Sequence, residues 1–318
     1  MNIWLNFLID SLAFGATFMY GSTGEIITEK AGHLNLGIPG IMCMGGAGGC
    51  LILNLIGKSS LPGFLIVILG ILGSIALAML MGLIYSFLTV TLRANQNVTG
   101  LALTTFGVGL MKVIMSKVDA AVYLVGPKKL YRFPFAGRTD SLQCLGVMFF
   151  LAVVVAILAS YVLYRTKIGL HLRAVGENPA TADAAGINVI KYKYLATTIG
   201  AGISGIGGLY YVLDYNNGIW ATTDQIEALG WLAVALVIFT TWKPLNVIWG
   251  AYLFGLLYWF YNFMPTLLGI TNADRTTSLY QMLPYLVTIA VLIAVSIRKK
   301  RESQPPAALG LAYFREER

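Results

Sequence analysis

Residues 59–92, "SSLPGFLIVILGILGSIALAMLMGLIYSFLTVTL", contain no charged side chain. A helix built from such a run is apolar on every face, so it has no side to turn toward water. Crossing a hydrocarbon core of roughly 30 Å takes about 20 helical residues, and this run exceeds that. Closed β-barrels also satisfy their backbone in lipid, but they show short alternating segments. The run therefore predicts an all-α, polytopic transmembrane helical bundle. Composition agrees, since 57% hydrophobic and 11% charged residues leave too few polar groups to coat a soluble globule.

Nine apolar stretches are expected to span, near residues 3–21, 36–56, 63–91, 97–116, 142–164, 194–213, 227–241, 244–263 and 281–297. The first has no basic region before it and no small-residue cleavage site after it, so it reads as a retained span rather than a signal peptide. No linker or second composition regime appears. The expected organisation is one membrane domain, 1–301, with a soluble cytoplasmic tail, 302–318.

The net charge of +8 is concentrated between spans. Arg165, Lys167, Arg173, Lys191 and Lys193 form one basic region and Arg298 to Arg301 ("RKKR") a second, separated by four expected spans and so on one face. The positive-inside rule makes that face cytoplasmic and puts the N-terminus outside. The loop 117–141, with Lys117, Lys128, Lys129, Arg132 and Arg138, falls outside on this count, against its own charge.

Catalytic patterns are missing. There is no HExxH or GxSxG, and the two histidines, His33 and His171, read as solvated loop residues. Gly200, Gly202 and Gly205 match GxGxxG without a strand around them, and "GKS" at 57–59 has Ile52 where a phosphate loop needs glycine. Cys43, Cys50 and Cys144 form no CxxC pair and are expected as small core hydrophobes, with no metal site. The glycine-rich runs 37–49 and 200–208 suggest close helix packing, with Ala196, Gly200, Ser204 and Gly208 lining one face.

Two polar segments stand out. In "RTKIGLHLRAVGENPATADAAGINV" (Arg165 to Val189), Asn178 can cap, Pro179 fits the first helical position and Gly186 closes a helix of about two turns. Too short and polar to span, it is shaped either to dock on a soluble partner or to serve as an ordinary loop helix. In "GEIITEKAGHLNLGIPG" (Gly24 to Gly40), the glycines and Pro39 are expected to break a helix near the cytoplasmic side. Glu25 and Glu29 must there lie at the interface, be paired or face water.

These segments, together with "LRANQNVTGLALTTFGVGL" (Leu92 to Leu110) and "PPAALGLAYFREER" (Pro305 to Arg318), resemble the permease subunits of bacterial ABC importers. The closest likeness is to the nucleoside-type branch of the branched-chain amino acid and ribose permease superfamily, served by basic-membrane-protein lipoproteins. The resemblance implies a multi-pass plasma-membrane subunit, the smaller of two permeases, that does no chemistry. It implies partners too: a second homologous permease, cytoplasmic ATPases that bind ATP and Mg, and an extracytoplasmic binding lipoprotein that delivers a nucleoside. Sugar or branched-chain amino acid import, or an ATPase-independent facilitator, are the alternatives.

By the same resemblance the coupling helix that meets the ATPase comprises Gly176, Glu177, Asn178, Pro179, Ala182, Asp183, Ala185 and Gly186. His33 and Pro39 depart from the family, where an aliphatic residue and a glutamate are common. A nucleoside calls for aromatic faces with amide or hydroxyl partners. The candidate pathway residues are Glu25, Asn35, Asn97, Thr99, Thr104, Thr105, Asp214, Asn216 and Asn217, with Trp220 and Trp231 beside them. Taken singly, each is as well suited to packing.

Overall fold

The computed structural model describes residues 3–118, 144–220, 224–268 and 304–314, apart from residue 58, with scattered positions elsewhere. The elements are helices in the order α1 (Ile3–Lys30), α2 (Ile38–Ile56), α3 (Gly63–Ser86), α4 (Gln96–Met115), α5 (Val147–Arg165), α6 (Lys167–Glu177), α7 (Pro179–Ala184), α8 (Val189–Tyr210), α9 (Asp224–Phe239) and α10 (Pro244–Leu268). One π-helical turn, Phe87–Thr91, prolongs α3 and another, Tyr211–Tyr215, prolongs α8.

Among the described residues, five helices are long and apolar enough to cross a membrane: α2, α3 with its π turn, α4, α5, and α8 with its π turn. The expected ninth span and most of the loop 117–141 lie outside the described residues. The clearest departure is at α1, expected to end near residue 21 and in fact helical to Lys30. The polar residues Glu25 and Glu29 that follow the apolar stretch stay helical and are buried.

Burial separates the layers. About four-fifths of α2 and α8 lies inside (78% for each), against 33% of α3 and 39% of α5, so the first two form the centre and the others face outward. Helix α8 packs on α1, α2 and α3, while α1 also meets α5, α9 and α10. The two glycine-rich runs are what let the central helices approach. A Cβ on Gly45 of α2 would overlap the backbone of Gly205 of α8, and one on Gly24 of α1 would overlap the Gly200 carbonyl. Close contact of this kind replaces the hydrophobic drive that lipid does not supply.

Helices α1 and α8 run antiparallel. Ser204 Oγ donates to the Gly21 carbonyl at 3.0 Å, and Tyr210 Oη to the Ala13 carbonyl at 2.7 Å. Cys43, Cys50 and Cys144 are buried thiols.

Candidate functional site

Helix α1 ends at Lys30 and α2 begins at Ile38; Ala31, Gly32 and His33 still donate to the last turn of α1, and the backbone from Leu34 onward is left to other partners. Gly32 makes the turn at φ 82°, a conformation that disfavours a side chain. Neighbouring side chains then meet the segment's polar groups one by one. Leu34 N donates to Gln96 Oε1 (2.8 Å), Asn35 N to Glu25 Oε1 (3.0 Å) and Gly37 N to Asn35 Oδ1 (2.9 Å). Tyr85 Oη donates to the Leu34 carbonyl (2.6 Å) and Thr104 Oγ1 to the Leu36 carbonyl (2.8 Å). Irregular backbone is tolerated in a membrane protein only when protein satisfies it in this way or a cavity wets it.

Glu29 accepts from Trp242 Nε1, which follows α9 in the chain. Both carboxylates are therefore buried and held by neutral donors, with Glu25 Oε2 left without a hydrogen-bond partner among the described residues. His33, expected to be solvated, is instead 1% exposed, and its Nδ1 lies 3.1 Å from Thr197 Oγ1. His171 is half-buried, with Nδ1 at 2.8 Å from Tyr192 Oη. Both placements have one cause: α8 covers the turn and α6 and supplies a hydroxyl to each ring.

Below the break lies the polar segment that follows α5. Thr166 caps α6 by accepting from Gly169 N (3.2 Å), and Asn178 caps α7 by accepting from Thr181 N (3.0 Å). Pro179 occupies the first turn, and Gly186 closes the unit at φ 83°. Helix α7 has only six residues, so it is shorter than the expected two turns. Ala182 is buried with Val175 and Val189 and seats it. Gly176 is also buried, where a Cβ would overlap the Lys30 carbonyl. Glu177, Asn178, Ala185 and Gly186 are exposed, while Pro179 and Asp183 are half-buried.

The tail is not an appendix. Residues 304–314 fold back across both segments: Ala308 N donates to the Gly176 carbonyl (3.0 Å) and Gly310 N to the Gly32 carbonyl (3.4 Å). Gln96 Nε2 donates to the Leu311 carbonyl (3.3 Å), Tyr313 Oη to Asp183 Oδ2 (2.9 Å), and the Arg93 guanidinium stands 4.7 Å from the Phe314 ring centre. One strand of irregular chain thus ties the break, α6, α7 and the start of α4 together. Gln96, Tyr85, Trp242 and Tyr313 were not among the candidate residues. The available signal was the tail itself, which carries Ala308, Leu309, Leu311, Tyr313 and Phe314 where a solvated appendix would be polar.

The candidate pathway residues fall into separate places. Glu25, Asn35 and Thr104 meet at the break, as above, with Thr99 buried on α4. Asp214, Asn216 and Asn217 follow α8 at its far end, about 21 Å along the helix from Gly200 to Asp214 at 1.5 Å per residue. Trp220 is half-buried against Gly46, and Trp231 is half-buried on α9. Asn97 and Thr105 are exposed on the outer face of α4, beside Val98, Leu101 and Phe106.

A family model described as the permease component of the branched-chain amino acid transport system matches residues 7–292. The chain belongs to that family. It is therefore a multi-pass membrane permease of an ABC transporter and not an enzyme. Among its relatives, TsgC13 of Haloferax volcanii, named for glucose ABC transport, is 34% identical over 97% of this chain and 98% of its own length. NupC of Lactococcus lactis, named a nucleoside ABC transporter permease, is 32% identical over 88% and 89%. NupQ of Bacillus subtilis, a guanosine ABC transporter permease, is 28% identical over 97% and 96%. A solved inward-facing transporter of the metal-chelate ABC type shares the fold at a TM-score of 0.50 and 14% identity, covering 92% of this permease and 86% of that chain.

Proposed function

We propose that this permease pairs with a second, homologous permease to form the passage of an ATP-driven importer for nucleosides. An extracytoplasmic lipoprotein delivers the cargo, and separate cytoplasmic subunits bind ATP and Mg. The observation that carries the coupling part is α7, a capped helix flanked by the exposed residues Glu177, Asn178, Ala185 and Gly186, which offer a docking face. Nine crossings with a cytoplasmic C-terminus put that face beside the ATPase, in agreement with its basic surroundings.

The outer face of α4 suits the passage. Asn97 and Thr105 are polar groups on an open, otherwise apolar membrane helix, a poor arrangement against lipid and a good one against a partner helix or a wet cavity. Phe106, 53% exposed beside them, offers an aromatic face to a base. The nucleoside reading rests on the names of NupC and NupQ. The name of TsgC13 favours a second reading, a sugar importer.

Uptake of labelled uridine in cells carrying the complete set of subunits tests both parts. The proposal expects uptake that unlabelled uridine competes and glucose does not, and that is lost when residues 178–186 become a glycine-serine linker in a protein still found in the membrane. Glucose uptake without uridine uptake would replace the substrate. Uridine uptake that survives the linker would replace the importer with a facilitator.

A further inference from the structure

Where α7, the α7–α8 turn, the π turn after α3 and the tail meet, they enclose a cavity of about 320 Å³. This lies at the lower edge of small-ligand sites, about 300–1,000 Å³. Its walls include Lys193, Arg93, His33, Asp183, Asn188 and Tyr313. Lys193 is decisive. It is only 3% exposed and lines the cavity, and among the described residues no hydrogen bond or ion pair of its ammonium is seen. The ammonium keeps access only to the cavity, and a cation so nearly buried is favoured by an anion placed there.

Arg93 stands on the same cavity under constraint. It leaves the π turn at φ 57°, a left-handed conformation rare for arginine, and its guanidinium is held over Phe314. Strain of this kind persists only where surrounding structure fixes it, and it gathers at functional sites. Among the described residues the wall holds one carboxylate, Asp183, and it accepts from Tyr313. Among the described residues, the two cations Lys193 and Arg93 face that one carboxylate.

We propose that this cavity is an anion site for a phosphate group, held between the Lys193 ammonium and the Arg93 guanidinium. Arginine and lysine are the side chains suited to phosphate, the first by its fork of donors and the second as a point charge. The phosphate comes either from a soluble ester or from an anionic lipid headgroup, for which basic pockets beside membrane helices are known receptors. Occupancy would bridge α8, the π turn and the tail that holds α7, whatever the cargo of the importer.

The test is thermal melting of the full-length chain in detergent, titrated at constant ionic strength with inorganic phosphate or with short-chain phosphatidylglycerol, and with phosphatidylcholine of equal chain length as control. Phosphate should raise the melting temperature where chloride does not, and Lys193→Gln and Arg93→Gln should each need about tenfold more of it. If phosphatidylglycerol alone of the lipids acts, at lower concentration than phosphate, the source is a headgroup; if only phosphate acts, it is a soluble ester. Should Lys193→Gln not accumulate, Arg93→Gln carries the comparison, because its side chain is exposed. The proposal is overturned if neither ligand shifts the wild type, or if the variants respond as the wild type does. It is overturned equally if phosphate is inert and Lys193→Gln instead releases the ATPase subunit, which would assign the counter-charge to a partner's carboxylate.

Discussion

Residues 31–37 and helix α7 are two short pieces of chain that interrupt the run of membrane helices, and they are held in opposite ways. The first has its backbone fastened by side chains of α1, α3 and α4, through Glu25, Tyr85, Gln96 and Thr104. The second is helical, so its backbone needs little help, and it is seated mainly by Ala182 and by the Tyr313–Asp183 hydrogen bond. Fastening from many sides makes a fixed point, because moving it would orphan several buried groups at once. Seating by one small apolar cluster and a strap leaves a part that can shift as a unit, which is what a lever between a partner and the membrane requires.

That contrast can be broken from the fixed side first. Replacing Gly24 by valine puts a Cβ into the Gly200 carbonyl and should force α1 from α8. Overpacking of about 1–3 kcal/mol or more is expected to abolish accumulation in the membrane, read by immunoblot of membrane fractions. Glu25→Leu comes next. It leaves the buried Asn35 amide without its acceptor, which costs about 1–3 kcal/mol and should lower the melting temperature of purified protein.

On the lever side the order of stability and activity should invert. Removing residues 304–318 should cut uptake severely while the protein remains in the membrane, since the tail's bonds to Gly176, Gly32 and Asp183 are peripheral to the core. A fall in membrane abundance equal to the fall in uptake would make the tail merely structural. Tyr313→Phe should have the smallest effect, the loss of one hydrogen bond worth about 0.5–1.5 kcal/mol. It should reduce the ATPase activity of the assembled complex only partly and leave melting within a few degrees.

The same contrast explains what could be read in advance. Helix α7 was legible because its signals are local: Asn178 caps, Pro179 opens and Gly186 closes within nine residues. The apolar runs of α2, α3 and α4 were legible for the same reason, each within two residues of its expected start. The end of α1 was not. Glu25 and Glu29 look like an interface until Asn35 and Trp242 are placed against them, and Trp242 is 213 residues from Glu29. His33 was misread because Thr197, on a helix far along the chain, buries it. The tail was misread because irregular chain has no periodicity, and its bonds run from its own amides to the carbonyls of Gly176 and Gly32. The candidate pathway set mixed two kinds of residue that sequence cannot separate: those that hold backbone, such as Thr104, and those on an open face, such as Thr105.

The most direct test of the fixed point and the lever is hydrogen exchange of the assembled importer, with and without a non-hydrolysable ATP analogue, followed over residues 31–37 and 179–186. Protection of the α7 amides should change on nucleotide binding while that of the break stays as it was. A change at the break with none at α7 would contradict the account.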